Sequence, residues 1–171
     1  MGCGRDSLGG RAKNMWKTQI RKLNMKVCVL SGSSHVGKTN TLHRLAILMN
    51  SMQKKYKLDA AISAVPPSKI PFYGDRQYAF DELATGRKIG ISTAGDNQEA
   101  IDSAFDFFAK NNCDVGFVAS KSHGCSVDEI ERRSRALHVT PVYFWFIWSV
   151  NGKRSRNQIQ VDTAQILEAV I

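Results

Sequence analysis

Gly32-Ser33-Ser34-His35-Val36-Gly37-Lys38-Thr39 places two glycines, a lysine and a hydroxyl at the fixed spacing G-x-x-x-x-G-K-[ST]. That spacing points to phosphate chemistry. Gly32 and Gly37 permit a backbone wrap that a side chain would obstruct. The amides of Ser33, Ser34, His35 and Val36 can then point inward at an anion, and a helix N-terminus behind them adds partial positive charge. Lys38 is expected to reach the β- and γ-phosphates of a nucleoside triphosphate, and Thr39 to offer its hydroxyl to Mg2+. The candidate binding set runs from Gly32 through Asn40. A lysine and a hydroxyl act this way only if a strand and a helix hold the loop. Val27-Cys28-Val29-Leu30 reads as a buried strand, and Leu42, Leu45, Met49 and Met52 recur at helical spacing after the motif.

This order of strand, glycine-rich loop and helix over residues 26–53 resembles the P-loop NTPase superfamily. The resemblance implies a P-loop NTPase fold, ATP and Mg2+ as cofactors, and Lys38 and Thr39 in the roles given above. It assigns no reaction by itself.

A P-loop enzyme needs a carboxylate near Thr39 to hold the Mg2+ shell. Asp96, in Ser92-Thr93-Ala94-Gly95-Asp96, is the candidate, either in that role or as the cap of the helix that follows. The same segment looks like the D-x-x-G element of GTPases, with Gly95 in the glycine's place and Ser92 where the aspartate belongs. Asp75 and Asp81 are reserve metal candidates. Of the guanine-reading pattern N-K-x-D, only Lys121 is present in Ser120-Lys121-Ser122-His123, so ATP is expected rather than GTP. Arg132, with Arg133 and Arg135, lies on a helix where arginines can clamp a transferring phosphate or form a solvated face. His123 reads as an exposed loop histidine, and no third group orients it with Cys125 as a nucleophilic pair.

The elements that must position these residues alternate. Strands are expected at about 26–31, 58–65 and 115–119, and over 139–148. A hairpin is expected near 77–92. Helices are expected at about 38–54, from Asp96 to Lys110 with Asp96 capping, from a Ser126–Glu129 capping box to Leu137, and from Asp162 to Val170. Asn151-Gly152 is a turn signal. Alternation implies a three-layer α/β sandwich with a mostly parallel sheet.

The chain of 171 residues, 43% hydrophobic, is long enough for one full core. Its net charge is +9, and residues 1–24 supply five of those charges, from six lysines and arginines against Asp6. They read as a basic flexible extension preceding a domain over 25–171. Such an arm can contact nucleic acid or an anionic membrane, though no RNA-binding motif supports the nucleic-acid reading. Lys153-Arg154-Ser155-Arg156 reads as a basic loop. Gly2-Cys3 lacks the Ser or Thr that acylation requires at the sixth position. No apolar stretch is long enough to cross a bilayer and no secretory signal is visible. The four cysteines form no CxxC pair, which suits a reducing, cytoplasmic compartment. Cys28 reads as a small buried hydrophobe.

The expected function is Mg2+-dependent phosphoryl transfer from ATP to a small acceptor, as in compact nucleotide or metabolite kinases. The alternatives are a partner-coupled ATPase, a GTPase-like hydrolase, or a non-enzymatic nucleotide switch.

Overall fold

Why Val27-Cys28-Val29-Leu30 is apolar without alternation becomes clear from its place in the sheet. Its strand, β1 (Lys26–Ser31), lies between two parallel neighbours, β5 (Val115–Ser120) and β6 (Pro141–Trp145). Helices cover both of its faces. Cys28 and Leu30 pack toward α1 (Lys38–Ser51) and α5 (Arg156–Ala169), while Val27 and Val29 pack toward α3 (Gln98–Lys110) and α4 (Cys125–Leu137). A strand buried on both faces needs apolar side chains at every position. The computed structural model describes residues 25–66, 68–145 and 156–171, apart from the side chain of Arg156.

The protein is an α/β structure with a six-stranded sheet of order β2-β3-β4-β5-β1-β6. Only β3 (Gln77–Glu82) runs against the other strands, pairing antiparallel with β2 (Tyr56–Leu58) and β4 (Lys88–Ser92). The expected hairpin near 77–92 is therefore present as β3 and β4. Its turn closes through Glu82 N to Arg87 O at 2.8 Å, with Gly86 at φ 71°.

Two in-register glycines set the spacing of one helical layer. Gly90 of β4 sits opposite Gly116 of β5. A methyl group at either would come within 2.6–2.7 Å of the Phe108 ring on α3. The missing side chains form a slot that lets Phe108 lie against the sheet, beside Ile101, Ala104 and Phe105.

Several boundaries differ from the sequence-based expectations. The strand expected at 58–65 ends at Leu58, and Ala60–Ser63 form a short helix, α2. Asp59 accepts a hydrogen bond from Ile62 N at 3.1 Å, giving the backbone a capped turn in place of a ladder. Helix α1 stops at Ser51, so Lys54 and Lys55 lie beyond it, and Lys55 pairs with Glu168 of α5 at 2.7 Å. The cap of α3 is Asn97, whose side chain accepts from Ala100 N at 2.8 Å, and not Asp96. Helix α4 begins at Cys125 after Gly124, so Ser126 is inside it and bonds Ser120 Oγ at 3.3 Å; no Ser126–Glu129 capping box forms. Helix α5 begins well before Asp162. Residues 1–24, 146–148 of the last expected strand, Asn151-Gly152 and the cluster from Lys153 to Ser155 lie outside the described residues.

Candidate functional site

The loop between β1 and α1 turns by two left-handed residues, His35 at φ 62° and Gly37 at φ 98°. Gly37 precedes the first turn of α1, where unpaired amides gather. Val36 points the other way: it is 4% exposed and buried in the core under α1. Its side chain anchors the loop, so only its backbone is left to face a ligand. Ser33, Ser34 and His35 are exposed.

Beside this loop lies a cleft of about 360 Å³ lined by His35, Gly37, Lys38, Thr39, Asn40, Asp96 and Gln160. Lys38 is 5% exposed and folds over the loop, with Nζ donating to Gly32 O at 3.0 Å and Ser33 O at 2.7 Å. An ammonium has three donors, so one proton remains for a ligand. Burial lowers the Lys38 pKa from its ordinary value; Asp96 opposes that shift and Lys121 adds to it. An anion in the cleft would hold the charge that burial disfavours.

Thr39 Oγ1 donates its proton to Thr93 O at 3.2 Å. The bond leaves the oxygen's lone pairs for a cation. Asp96 reaches the same cleft because the chain after β4 is pinned. Gly95 lies so close to Ala119 O at the end of β5 that a side chain there would collide with the carbonyl. With Asn97 serving as cap, the exposed carboxylate of Asp96 is not used in capping. Thr39 and Asp96 together suit Mg2+, which keeps several waters and takes only one or two carboxylates beside phosphate oxygens. Among the described residues there is no cluster of three or more His, Cys, Asp or Glu side chains that could hold a metal without such help.

The segment after β5 abuts the loop as well. Gly32 N donates to Ser120 O at 3.3 Å, and Ser31 Oγ donates to Lys121 O at 3.1 Å. Lys121 is thereby held near Lys38. The other flank is the turn before β3, where Arg76 N donates to Thr93 Oγ1 at 2.8 Å. The backbone of Arg76 thus stands two hydrogen bonds from Thr39, and exposed Tyr73 and Asp75 belong to the same turn.

Other candidates stand elsewhere. Arg132 does not line the cleft. Its guanidinium is taken by Glu129, 4% exposed on the same helix, and by Asp102 of α3 at 3.2 Å. Arg133 pairs with Asp102 and Asp106, and Arg135 Nε donates to Glu131 O at 3.2 Å. These arginines join α4 to itself and to α3. Asp81 pairs with Lys88 at 2.9 Å within the hairpin. His123 is exposed, with Ser122 Oγ 3.0 Å from its Nδ1. Cys28 is fully buried, and burial pushes its thiol up to about 11. Ser92 is also fully buried, and its hydroxyl has no partner among the described residues.

Sequence reasoning missed Gln160 and the contribution of Thr93. Neither belongs to a local pattern; each comes to the cleft through a strand end or a helix distant in sequence. Comparison with protein-family models, curated proteins and solved structures finds no match for this chain.

Proposed function

We propose that this chain is a P-loop NTPase-type protein that binds ATP with Mg2+ in the cleft and transfers the terminal phosphoryl group to a small acceptor. The observation that carries this reading is the convergence of Lys38, Thr39 and Asp96 on one cleft at the mouth of a left-handed loop. The residues have separate tasks. Loop amides and the remaining Lys38 proton bind phosphate oxygens; the Thr39 oxygen and the Asp96 carboxylate, directly or through water, hold the metal. Mg2+ supplies neutralisation of charge on the β- and γ-oxygens. With donors and charge fixed in advance, little reorganisation is needed as charge shifts in transfer.

Transfer is preferred to partner-coupled hydrolysis because of the turn before β3. Tyr73 is 73% exposed and Arg76 has no ion-pair partner among the described residues, so the turn that Thr93 ties to Thr39 offers an exposed aromatic ring and a cation. A small acceptor needs such groups. ATP is preferred to GTP because Lys121 stands without the Asn and Asp of the guanine pattern.

The test is nucleotide-dependent melting of wild type and Lys38→Ala with Mg2+, followed by ATP consumption with and without a panel of nucleoside monophosphates and small alcohols. At a hundredfold excess over Kd, ATP should raise the wild-type Tm by about 5–10 °C for a chain of this size. Lys38→Ala should lose that shift. ATP consumption should require an acceptor. Turnover without acceptor favours hydrolysis, and an unchanged shift in Lys38→Ala refutes the site.

A further inference from the structure

Gln160 is a polar side chain only 3% exposed, yet it lines the cleft. It arrives from α5 and lies over Gly37, so near that a methyl group on Gly37 would collide with Gln160 Nε2. The two ends of a carboxamide have nearly the same shape, so its partners decide which end faces which way. Here the deciding partner is Arg44 on α1. Arg44 Nε donates to Gln160 Oε1 at 3.3 Å. A guanidinium offers no acceptor, so only the oxygen of the carboxamide can face it. Arg44 is itself fixed: its Nη2 donates to Asn157 Oδ1, and the guanidinium carbon lies 4.6 Å from the centre of the Phe72 ring. The amide nitrogen of Gln160 therefore faces the phosphate loop, and it donates to no acceptor among the described residues.

This N–H donor stands at the wall of the cleft with no acceptor among the described residues, so it is open to a ligand that fills the cleft. The neighbours of Gln160 in the cleft include the donors already described, the third proton of Lys38 and the loop amides. We propose that Gln160 is a binding residue of the phosphate site: its Nε2 donates to an oxygen of the bound phosphate chain, and Arg44 holds that donor inward. The ligand class is a polyphosphate anion. This inference rests on the phosphate-binding reading of the cleft and extends it, because it makes α5 a wall of the site. Loop, α1 and α5 then close on the anion together, with Arg44 tying the two helices.

Titration calorimetry with Mg2+-ATP and with Mg2+-pyrophosphate tests this on wild type, Gln160→Ala, Gln160→Glu and Lys38→Ala. Gln160→Ala removes one donor to a charged group and should weaken both ligands about tenfold. Gln160→Glu still accepts from Arg44, so the helix contact survives, but it turns a carboxylate oxygen toward the anion. It should weaken both ligands by about a hundredfold, more than the alanine variant, while the ligand-free Tm stays near the wild-type value. If both Gln160 variants bind within twofold of wild type while Lys38→Ala loses binding, the inference is overturned and the phosphate site stands. If wild type binds neither ligand, or Lys38→Ala binds as well as wild type, the phosphate reading itself fails and the inference with it.

Discussion

His43 shows how one residue of α1 serves the site without touching it. It is fully buried, with Nε2 2.8 Å from Gly74 O and Nδ1 2.9 Å from the Tyr78 hydroxyl. A carbonyl only accepts, so the proton sits on Nε2, and Nδ1 accepts from Tyr78. This neutral ring holds Gly74, the residue before Asp75 and Arg76. Burial lowers the His43 pKa below its ordinary value; the Gly74 carbonyl and Asp75 oppose this and Arg76 adds to it. The unfolded chain therefore takes up a proton before the folded one does. Stability from His43 is complete above about pH 6.5, the unfolded value, and is lost as pH falls toward the folded value. Urea unfolding at pH 7.5 and pH 5.5 should show wild type losing more stability than His43→Gln. Equal losses would mean the ring pays no such penalty. Lys38 and Gln160 are both buried residues that keep a donor for the cleft, so their variants separate loss of the phosphate site from loss of the α5 contact.

Among the elements, the slot between β4 and β5 offers the clearest test of packing. Gly90 and Gly116 both meet Phe108, and Cys113 Sγ also crowds Gly90. Gly90→Ala and Gly116→Ala should each destabilise by about 1–3 kcal/mol through overpacking. The double variant should cost less than the sum, because one displacement of Phe108 relieves both contacts. Denaturant titration of the three variants measures this, and strict additivity would show that Phe108 is not the shared obstacle. Packing between elements also explains two shifted helix caps. Asp96-Asn97 and Ser126 both looked like caps, because cap signals are short and tolerate a slip of one or two residues. Gly95 pinned under Ala119 O decides the first case, making Asn97 the cap and leaving Asp96 for the cleft. The Ser120–Ser126 hydroxyl contact decides the second.

At the scale of the whole molecule, charge and fold separate along the chain. Residues 1–24 hold five of the nine net positive charges, whereas every residue named in the cleft lies beyond Met25. A chain beginning at Met25 should keep the ATP-dependent rise in Tm and elute from heparin at lower salt. Loss of the nucleotide response on that truncation would assign the leader a part in the site. No helix among the described residues is long and apolar enough to cross a membrane. The features legible in the residues alone are local. The run from Val27 to Thr39 specifies strand, loop and helix start, because its glycines, lysine and hydroxyl act within a few residues of one another. The hairpin of β3 and β4 was legible for the same reason, being closed by a turn around Gly86. The strand order, which inserts β5 between β1 and β4 and so brings Asp96 to Lys38 and Thr39, is set by packing between distant elements. The tertiary structure also decided that Arg132 is taken by Glu129 and Asp102, and that Gln160 reaches Gly37. Those outcomes depend on which distant elements pack together, and the energy of such packing resides in contacts that no local spacing records.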